Sequence, residues 1–569
     1  MWSGSPTLPT YDQVMMSPVV ADLDNDCMPD IVFATFTGGS YGTDGVIRAV
    51  SGDGRRELFT VSDPALRVVA GAQLALAEVD GDHLLEIFAC QPGPNRNLMA
   101  VNFDGTLRWR AANLSCGTFD APQVVDVDHD GQPEVVVGFS VFNARTGASV
   151  GTPPTVVSPP GGLYTTAAEL DGDAGNGMEL VGGGVVYHHD GTLYWSNVSG
   201  AAGYPAVADL DGDGRPEVVS VSQAAHTVTA YHADGGTLWG PIDVNNGIPT
   251  SSGPVGGGPP VIADLDGDGL PDVGVSGGYA YLALRGTNGA VLWQQPIRDL
   301  GSRVSGSTAF DFNGDDAGEV LNNDEGSLRV FDGLTGQVEL STCSTSGTLF
   351  EYPLVVDVDG DEHADLVTPS NTYAFPMCDA AFGGGPSRTG FTVLADVSNR
   401  WVRTRKIWNQ HTYHVTNIND DGTVPRFEAP NWLQPGLNNF RQSVAPTRRF
   451  SAADLVPRDL RMSAAGCGQG QVLLSTALFN QGEAVAPAGA RATFYFRSAS
   501  GPVAIAPSLQ TIAPLLPGAA ESGSVVWTPP STGPFRVWVV VDDDGTSQGA
   551  IDECDEVNNT SAEIIAGCP

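Results

Sequence analysis

Short apolar runs separated by polar, glycine-rich turns fill most of the chain. Pro205-Ala-Val-Ala and Val218-Val-Ser-Val are typical: β-branched, brief and bounded by turn residues, they predict strands. A second pattern follows each such pair. Leu98-Met-Ala-Val-Asn-Phe-Asp-Gly-Thr-Leu-Arg-Trp109, Val185-Val-Tyr-His-His-Asp-Gly-Thr-Leu-Tyr-Trp195, Val228-Thr-Ala-Tyr-His-Ala-Asp-Gly-Gly-Thr-Leu-Trp239 and Tyr281-Leu-Ala-Leu-Arg-Gly-Thr-Asn-Gly-Ala-Val-Leu-Trp293 each read as strand, Asp-Gly or Asn-Gly turn, strand. In these four the Trp stands at a fixed offset from the turn glycine, and Leu58 and Leu340 hold the same place after Gly54 and Gly336. A Trp row at repeat spacing predicts packing between repeats. No amphipathic helical period lies between the strands, which excludes a parallel βαβ arrangement.

The loop inside each first hairpin carries the chemistry. In Ala208-Asp-Leu-Asp-Gly-Asp-Gly-Arg-Pro-Glu217, Asp209, Asp211 and Asp213 alternate, Gly214 allows a positive φ, and Glu217 supplies a fourth carboxylate. Four carboxylates this close repel one another, and a hard cation taking six to eight oxygens resolves the conflict. The pattern recurs as Asp22, Asp24, Asp26, Asp30; Glu78, Asp80, Asp82, Glu86; Asp126, Asp128, Asp130, Glu134; and Glu169, Asp171, Asp173 with a displaced Glu179. After the Asp209 set come Asp264, Asp266, Asp268, Asp272; Asp311, Asn313, Asp315, Glu319; and Asp357, Asp359, Asp361, Asp365. We number these loops 1 to 8. Their ligand type and spacing predict several structural Ca²⁺ ions. Strand, calcium loop, strand, strand, tight turn, strand is the unit of a β-propeller, so the expected fold is all-β, with eight (alternatively seven) four-stranded blades over residues 1–402.

Length and charge sharpen this. At 569 residues the chain exceeds a single core, and 71 Gly with 40 Pro suit many tight turns. A formal charge of −39 argues against nucleic acid and anionic membranes. Thirty-one of the 66 acids lie in the eight loops, so the charge is placed and not merely spread. No apolar run is long enough to span a bilayer, and Met1-Trp-Ser-Gly-Ser-Pro6 has no basic or apolar leader. Calcium loops and eight cysteines suit an oxidising exterior, so an export segment is expected to be missing from the start. Trp2 reads either as the end of a preceding blade or as the strand that completes the ring. The eighth repeat is expected to close with Phe391 to Trp401, after a long glycine-rich insertion at 369–390.

Residues 403–450 differ in texture and are read as a packing linker. His411 and His414 have metal-ligand spacing but no third ligand, so hydrogen bonding is the preferred role. Asn417, Asn419 and Asp421 imitate a calcium loop in which Pro425 replaces the last carboxylate. From residue 451 the strands Gln471–Asn480, Arg491–Phe496, Ser524–Trp527 and Phe535–Val541 alternate as half-buried elements, predicting an immunoglobulin-like sandwich over 451–569. The acids Asp542, Asp543, Asp544, Glu553, Asp555 and Glu556 there lack alternate spacing and read as a solvated loop end.

These residues resemble two families. The loops, with Gly71-Ala-Gln-Leu-Ala-Leu-Ala-Glu-Val-Asp-Gly-Asp82, resemble FG-GAP/VCBS repeats, the calcium-bearing blades also found in integrin α-subunits, over roughly residues 15–402. Cys27 and His83 at the glycine position, Asn313 at a ligand position and the insertion before Glu179 depart from that pattern. Asn480-Gln-Gly, Leu516-Pro-Gly and Glu553-Cys-Asp-Glu-Val-Asn-Asn559 resemble CARDB, a cell-adhesion-related domain of bacteria. The resemblance implies a non-catalytic, extracellular or surface-displayed adhesion protein that takes a cell-surface protein or glycan. The alternative is a propeller polysaccharide lyase of the rhamnogalacturonan type. That chemistry needs a base beside a cation; with 27 Lys and Arg and 9 His, no basic–aromatic cluster stands out in the sequence.

Meander geometry makes two further predictions. Second and fourth strands end on the face away from the calcium loops, which pairs Cys90 with Cys116 and Cys343 with Cys378. Cys467 and Cys568 pair in the sandwich, and Cys27 and Cys554 are left as free thiols. The connections Asn113–Phe119, Thr152–Gly162, Asp243–Pro260, Thr342–Glu351 and Pro369–Thr389 emerge on that same face, where ligand is expected to bind.

Overall fold

The computed structural model describes the chain apart from residues 1, 94–96, 112–115, 117–119, 152–163, 174, 198–202, 249–255, 374–377, 379–384, 446–452, 454, 482–484, 499–500, 517, 544–550, 552–557 and 569. Among the described residues the regular structure is strand and short 3-10 turn, with no α-helix. The chain forms two compact units, Met1–Asp24 with Met28–Ala445, and Asn25–Cys27 with Pro446–Pro569.

The larger unit holds eight antiparallel sheets in simple meander order, seven of four strands and one of three. Sheet 5 shows why the sequence builds them. Gly203–Ala208, Glu217–Ser222, Thr227–His232 and Thr237–Asp243 follow one another. Val218, Val219, Val221, Val228 and Ala230 are wholly buried, so the second and third strands are apolar on both faces. The fourth strand alternates, with Trp239 inward and its neighbours exposed. Ala208 pairs with Glu217 and Glu217 with His232, which fixes the acidic loop at the sheet end beside the third strand. First strands of successive sheets are neighbours, sheet 1 beside 2, 2 beside 3, and onward from 4 through 8.

The Trp row joins neighbouring sheets. Indole Nε1–H of Trp109 donates to Ala144 O at 2.8 Å, Trp195 to Ala233 O at 2.9 Å, Trp239 to Gly286 O at 2.5 Å and Trp293 to Gly333 O at 2.5 Å. Each acceptor lies in the tight turn of the next sheet. The turn glycine there is dictated twice. At Gly336, φ is 70° and an added Cβ would lie 2.6 Å from the Trp293 ring.

Two expectations are corrected at the eighth sheet and its exit. The sheet consists of Leu354–Val356, Asp365–Ser370 and Gly390–Leu394. The chain after 394 does not return as a fourth strand: Asp396 binds the Arg400 guanidinium at 2.9 Å and turns the backbone away. Trp2 takes that edge, exchanging two 3.0 Å backbone hydrogen bonds with Phe391. Residues 403–445 are not a linker between units but part of the larger unit's interior. Trp408 bridges Val20 of sheet 1, Leu76 N–H of sheet 2 donates to Asn409 O at 2.8 Å, and Val124 N–H of sheet 3 donates to Gln410 Oε1 at 2.8 Å. Phe440 bridges Ile262 of sheet 6, and Asp357 N–H beside sheet 8 donates to Arg405 O at 3.0 Å. Gln442 bridges Ala309 of sheet 7, and Arg441 donates to Pro205 O of sheet 5, so the segment lies against the first strands of seven sheets, with Trp408, Tyr413 and Arg441 at 0 % exposure.

The smaller unit has a sheet of Leu455–Ser463, Val472–Asn480 and Ala520–Trp527, and one of Gly501–Gln510, Arg491–Ser498, Phe535–Val541 and Ile564–Ala566. Leu474, Phe494, Trp527, Val537 and Val539 share one core. The structure contains the disulfides Cys90–Cys116, Cys343–Cys378 and Cys467–Cys568. Cys27 is also disulfide-bonded, against the expectation of a free thiol, and the described residues include no free cysteine. Cys554 lies outside the described residues.

Candidate metal loops

Every acidic loop joins a first and a second strand, and its backbone is alike throughout. In loop 5, Asp209 accepts from the N–H groups of Gly212 at 2.7 Å, Asp213 at 3.2 Å and Gly214 at 2.8 Å. Asp211 accepts from Asp213 N–H at 3.2 Å, and Asp213 from Arg215 N–H at 2.8 Å. The last carboxylate, Glu217, reaches back to the Leu210 N–H at 2.9 Å. Outside loop 4, where the insertion moves the second such residue to Gly177, two positions per loop take positive φ, the fourth and the sixth. Gly212 and Gly214 do so at 76° and 85°. The departures from the repeat pattern keep this conformation: Cys27 at 67° and His83 at 65°, as do Asp316 at 70° and Glu362 at 68°, which the sequence reading passed over. A side chain in this region costs on the order of 1 kcal/mol or more. The displaced Glu179 of loop 4 also falls into place, accepting from Leu170 N–H at 2.8 Å as Glu217 does from Leu210. In loop 7, Asn313 turns its amide N–H to Glu319 at 3.2 Å.

The ninth-position carboxylates sit at the foot of each loop, out of water, with Glu179 and Glu217 at 0 % exposure. Burial holds their protons on. It pushes Glu217, Asp272, Glu319 and Asp365 up to about 7, Glu86 up to about 8 despite Arg108, and Glu134 up to about 9 with Asp128 and Asp126 adding to the shift. Within the loops, one ligand atom from each of Asp22, Asp24 and Asp30 falls within 4.8 Å of the others; so do those of Glu78, Asp80 and Asp82, of Asp171, Glu179 and His188, and of Asp211, Glu217 and His232. Such groups could hold a metal ion. Several carboxylate oxygens are buried without a hydrogen-bond partner: Asp80 Oδ1, Glu86 Oε2, Glu169 Oε2 and Asp266 Oδ1. Buried lone pairs without donors are costly, and a cation satisfies them.

The sequence reading missed the basic groups beside these loops. Arg108 Nη1 binds Glu86 at 2.9 Å and Nη2 binds Asp80 at 2.5 Å. Arg285 clamps Asp266 and Asp268, both at 2.6 Å, and His232 Nδ1 lies 3.0 Å from Glu217 as His188 lies 2.9 Å from Glu179. In loop 2 each clamped carboxylate turns its other oxygen inward unpartnered. His188, His232 and Arg285 all end a third strand just before its turn, a regularity that was visible in the sequence.

His411 and His414 form no metal pair. His411 Nε2 lies 3.1 Å from Phe350 O, while His414 Nε2 meets Glu428 at 2.5 Å. Asn417 is spent on Asn409 at 2.9 Å and Asp421 on Thr423 N–H at 3.0 Å, so the imitation loop gathers no ligands. Asp542 and Asp543 are buried, with Asp543 accepting the Tyr495 hydroxyl at 2.5 Å; Asp544, Glu553, Asp555 and Glu556 lie outside the described residues. A basic–aromatic cluster does exist, around Arg441, His411, Tyr164, Tyr204 and Tyr352, but no member exceeds 4 % exposure, so a polymer cannot reach it.

The comparisons with known proteins agree with this geometry. Residues 209–275, which contain loops 5 and 6, match the FG-GAP-like repeat family, so the chain carries this repeat. The V. cholerae biofilm matrix protein Bap1 shares the fold: TM-score 0.64, 22% identity, covering 78% of this chain and 98% of that one. The rhamnogalacturonan lyase YesW aligns at TM-score 0.47 and 17% identity over 65% of this chain and 72% of its own. The CARDB domain of a Pyrococcus furiosus protein, solved with di-metal ions, aligns over 21% of this chain and 97% of its own, at 17% identity and TM-score 0.16. No curated protein matches the sequence. No described helix is long and apolar enough to cross a membrane, which says nothing of β-barrels.

Proposed function

We propose that the chain is an extracellular, calcium-stabilised binding protein: an eight-bladed β-propeller carrying a CARDB-like immunoglobulin sandwich. Eight meander sheets with adjacent first strands, and Trp2 on the edge of the eighth, support a ring closed by its own N-terminal strand. One observation carries the role of the metal. The carboxylates recur at the same end of every sheet and never converge on one pocket, so calcium acts as architecture and not as a catalyst. Asp22, Asp24, Asp26 and Asp30 and their counterparts in loops 2 to 8 would hold one ion each. Calcium supplies there the positive charge that lets the buried ninth-position carboxylates ionise.

The disulfides fit an oxidising exterior. Likeness in fold to a biofilm matrix protein agrees with a matrix or cell-surface partner, a glycan or a protein. Binding is assigned to the connections on the face away from the calcium loops, the one set whose length differs from sheet to sheet. The test is capture of surface glycans and proteins by the calcium-loaded chain, repeated after shortening 243–260 and, separately, 369–389. Loss of capture with unchanged melting supports the assignment. Full capture by both variants moves the site elsewhere, first to the sandwich.

A further inference from the structure

The interior of the larger unit contains an arginine without a carboxylate. Arg441 has 0 % exposure. Its Nη1–H groups donate to Pro260 O at 2.7 Å and Pro205 O at 3.3 Å, the carbonyls that precede the first strand of sheet 6 and lie within that of sheet 5. Nε and Nη2 have no hydrogen-bond partner, and no carboxylate among the described residues forms an ion pair with the group. Phe440 lies beneath the guanidinium at 4.9 Å. Buried carboxylates lie farther out, Asp120 and Glu351 acting on Tyr164 and Asp299 on Tyr204, and none forms an ion pair with the guanidinium. The Tyr164 hydroxyl is buried and unpartnered, and Tyr164, Tyr204 and Tyr352 all feel the guanidinium charge. Tyr352 spends its O–H on His411 O at 2.5 Å. Imidazole Nε2 of His411 lies against a carbonyl, and burial beside Arg441 keeps the ring neutral.

We propose that Arg441 and Tyr164 form a buried binding site for a small inorganic anion, of the chloride class. The Nε and Nη2 N–H bonds and the Tyr164 O–H have no geometric hydrogen-bond partner, with the Tyr352 hydroxyl oxygen the one side-chain acceptor beside the guanidinium. A water molecule accepts two hydrogen bonds and leaves the charge uncompensated. A halide accepts all of them and neutralises a guanidinium that stays protonated at any physiological pH. The Phe350 ring meets Tyr164 edge-on at 4.8 Å and the Tyr204 ring lies tilted against it at 4.6 Å, so the Tyr164 hydroxyl sits among aromatic rings. Because Arg441 belongs to the inner segment while Tyr164 and Tyr204 belong to sheets 4 and 5, the anion ties that segment to the sheets.

The experiment uses the full calcium-loaded chain. Crystals soaked in sodium bromide are expected to give an anomalous peak in hydrogen-bonding reach of Arg441 Nε and Nη2 and the Tyr164 hydroxyl. In solution, replacing sodium gluconate by sodium chloride at fixed ionic strength is expected to raise Tm along a saturable curve. Tyr164→Phe, which removes one donor and little volume, is expected to move the half-saturation point up by about tenfold. Arg441→Met is expected to abolish the chloride effect. If that variant does not fold, Tyr164→Phe and the bromide map still decide. No anomalous peak at saturating bromide, or a Tm that follows ionic strength alone in the parent chain, overturns the site.

Discussion

Glu134→Gln is the sharpest test of what the buried carboxylates are for. Glu134 is 2 % exposed, faces Asp126, Asp128 and Asp130, and accepts from Val127 N–H at 3.2 Å. Burial lifts it from 4.5 to about 9. Its folded value is raised, so without metal its contribution to stability is fully present below the unfolded value and is lost as pH rises through the folded one. At pH 7 the folded metal-free protein keeps a proton that the unfolded chain has released, which costs about 3 kcal/mol at ~1.4 kcal/mol per pH unit. Glutamine fills the same space, keeps an acceptor for Val127 and offers N–H to Asp126 or Asp128. In chelator the variant should therefore be more stable than the parent: by nothing at pH 4.5, about 3 kcal/mol at pH 7, and about 6 kcal/mol above pH 9. For a unit of this size that is about 3 °C at pH 7. With calcium in excess the sign reverses. The parent gains about 3 kcal/mol from an ion held at a hundredfold over its Kd, and the variant loses that site. Scanning calorimetry at several pH values, in EDTA and in calcium, reads both arms. A variant less stable than the parent in chelator at every pH would refute the reasoning.

Chelation of the parent should lower Tm reversibly, and Asp211→Ala should bind one calcium fewer by titration calorimetry while leaving the other loops loaded. Trp293→Phe should cost about 1–2 kcal/mol in urea unfolding, because it orphans the buried Gly333 carbonyl that the indole satisfies at 2.5 Å. Gly336→Ala should cost about 1–3 kcal/mol, since its Cβ would meet the Trp293 ring at 2.6 Å with φ at 70°; an unchanged midpoint would show that the turn can shift.

The sheets were legible because each is specified locally. A first strand, an acidic loop and an Asp-Gly turn lie within one repeat, and each signal has a short-range physical cause. The loop residues were legible for the same reason, down to the way Glu179 regains its place after a two-residue insertion. What the sequence concealed depends on distant partners. Trp2 meets Phe391, and Trp408 and Asn409 meet two different sheets, through backbone groups that carry no residue signature, while Gln410 reaches a third with a side-chain amide that looks like any surface glutamine's. Arg441 looks like any surface arginine until the fold buries it.

Two systems therefore hold the larger unit, and they act at different places. At one end of each sheet the acidic loops store like charge that retained protons and arginine clamps relieve in part and a bound cation would relieve further, so stability there is expected to depend on the medium. Along the first strands the inner segment works without metal, through hydrogen bonds such as Arg405 to the Ile418 and Val415 carbonyls, both at 2.8 Å, and through the stacking of Trp408 on Tyr413 at 4.3 Å. A chain held only by its loops would come apart sheet by sheet when calcium is withdrawn. The inner segment is tied to sheets 1, 2, 3, 5, 6, 7 and 8, so loosening any one loop is expected to leave the neighbouring first strands in register. That division explains how four loops can carry side chains at positive φ at the sixth position: their cost is borne by contacts elsewhere, and emptying a single loop of its proposed ion is expected to leave the unit folded.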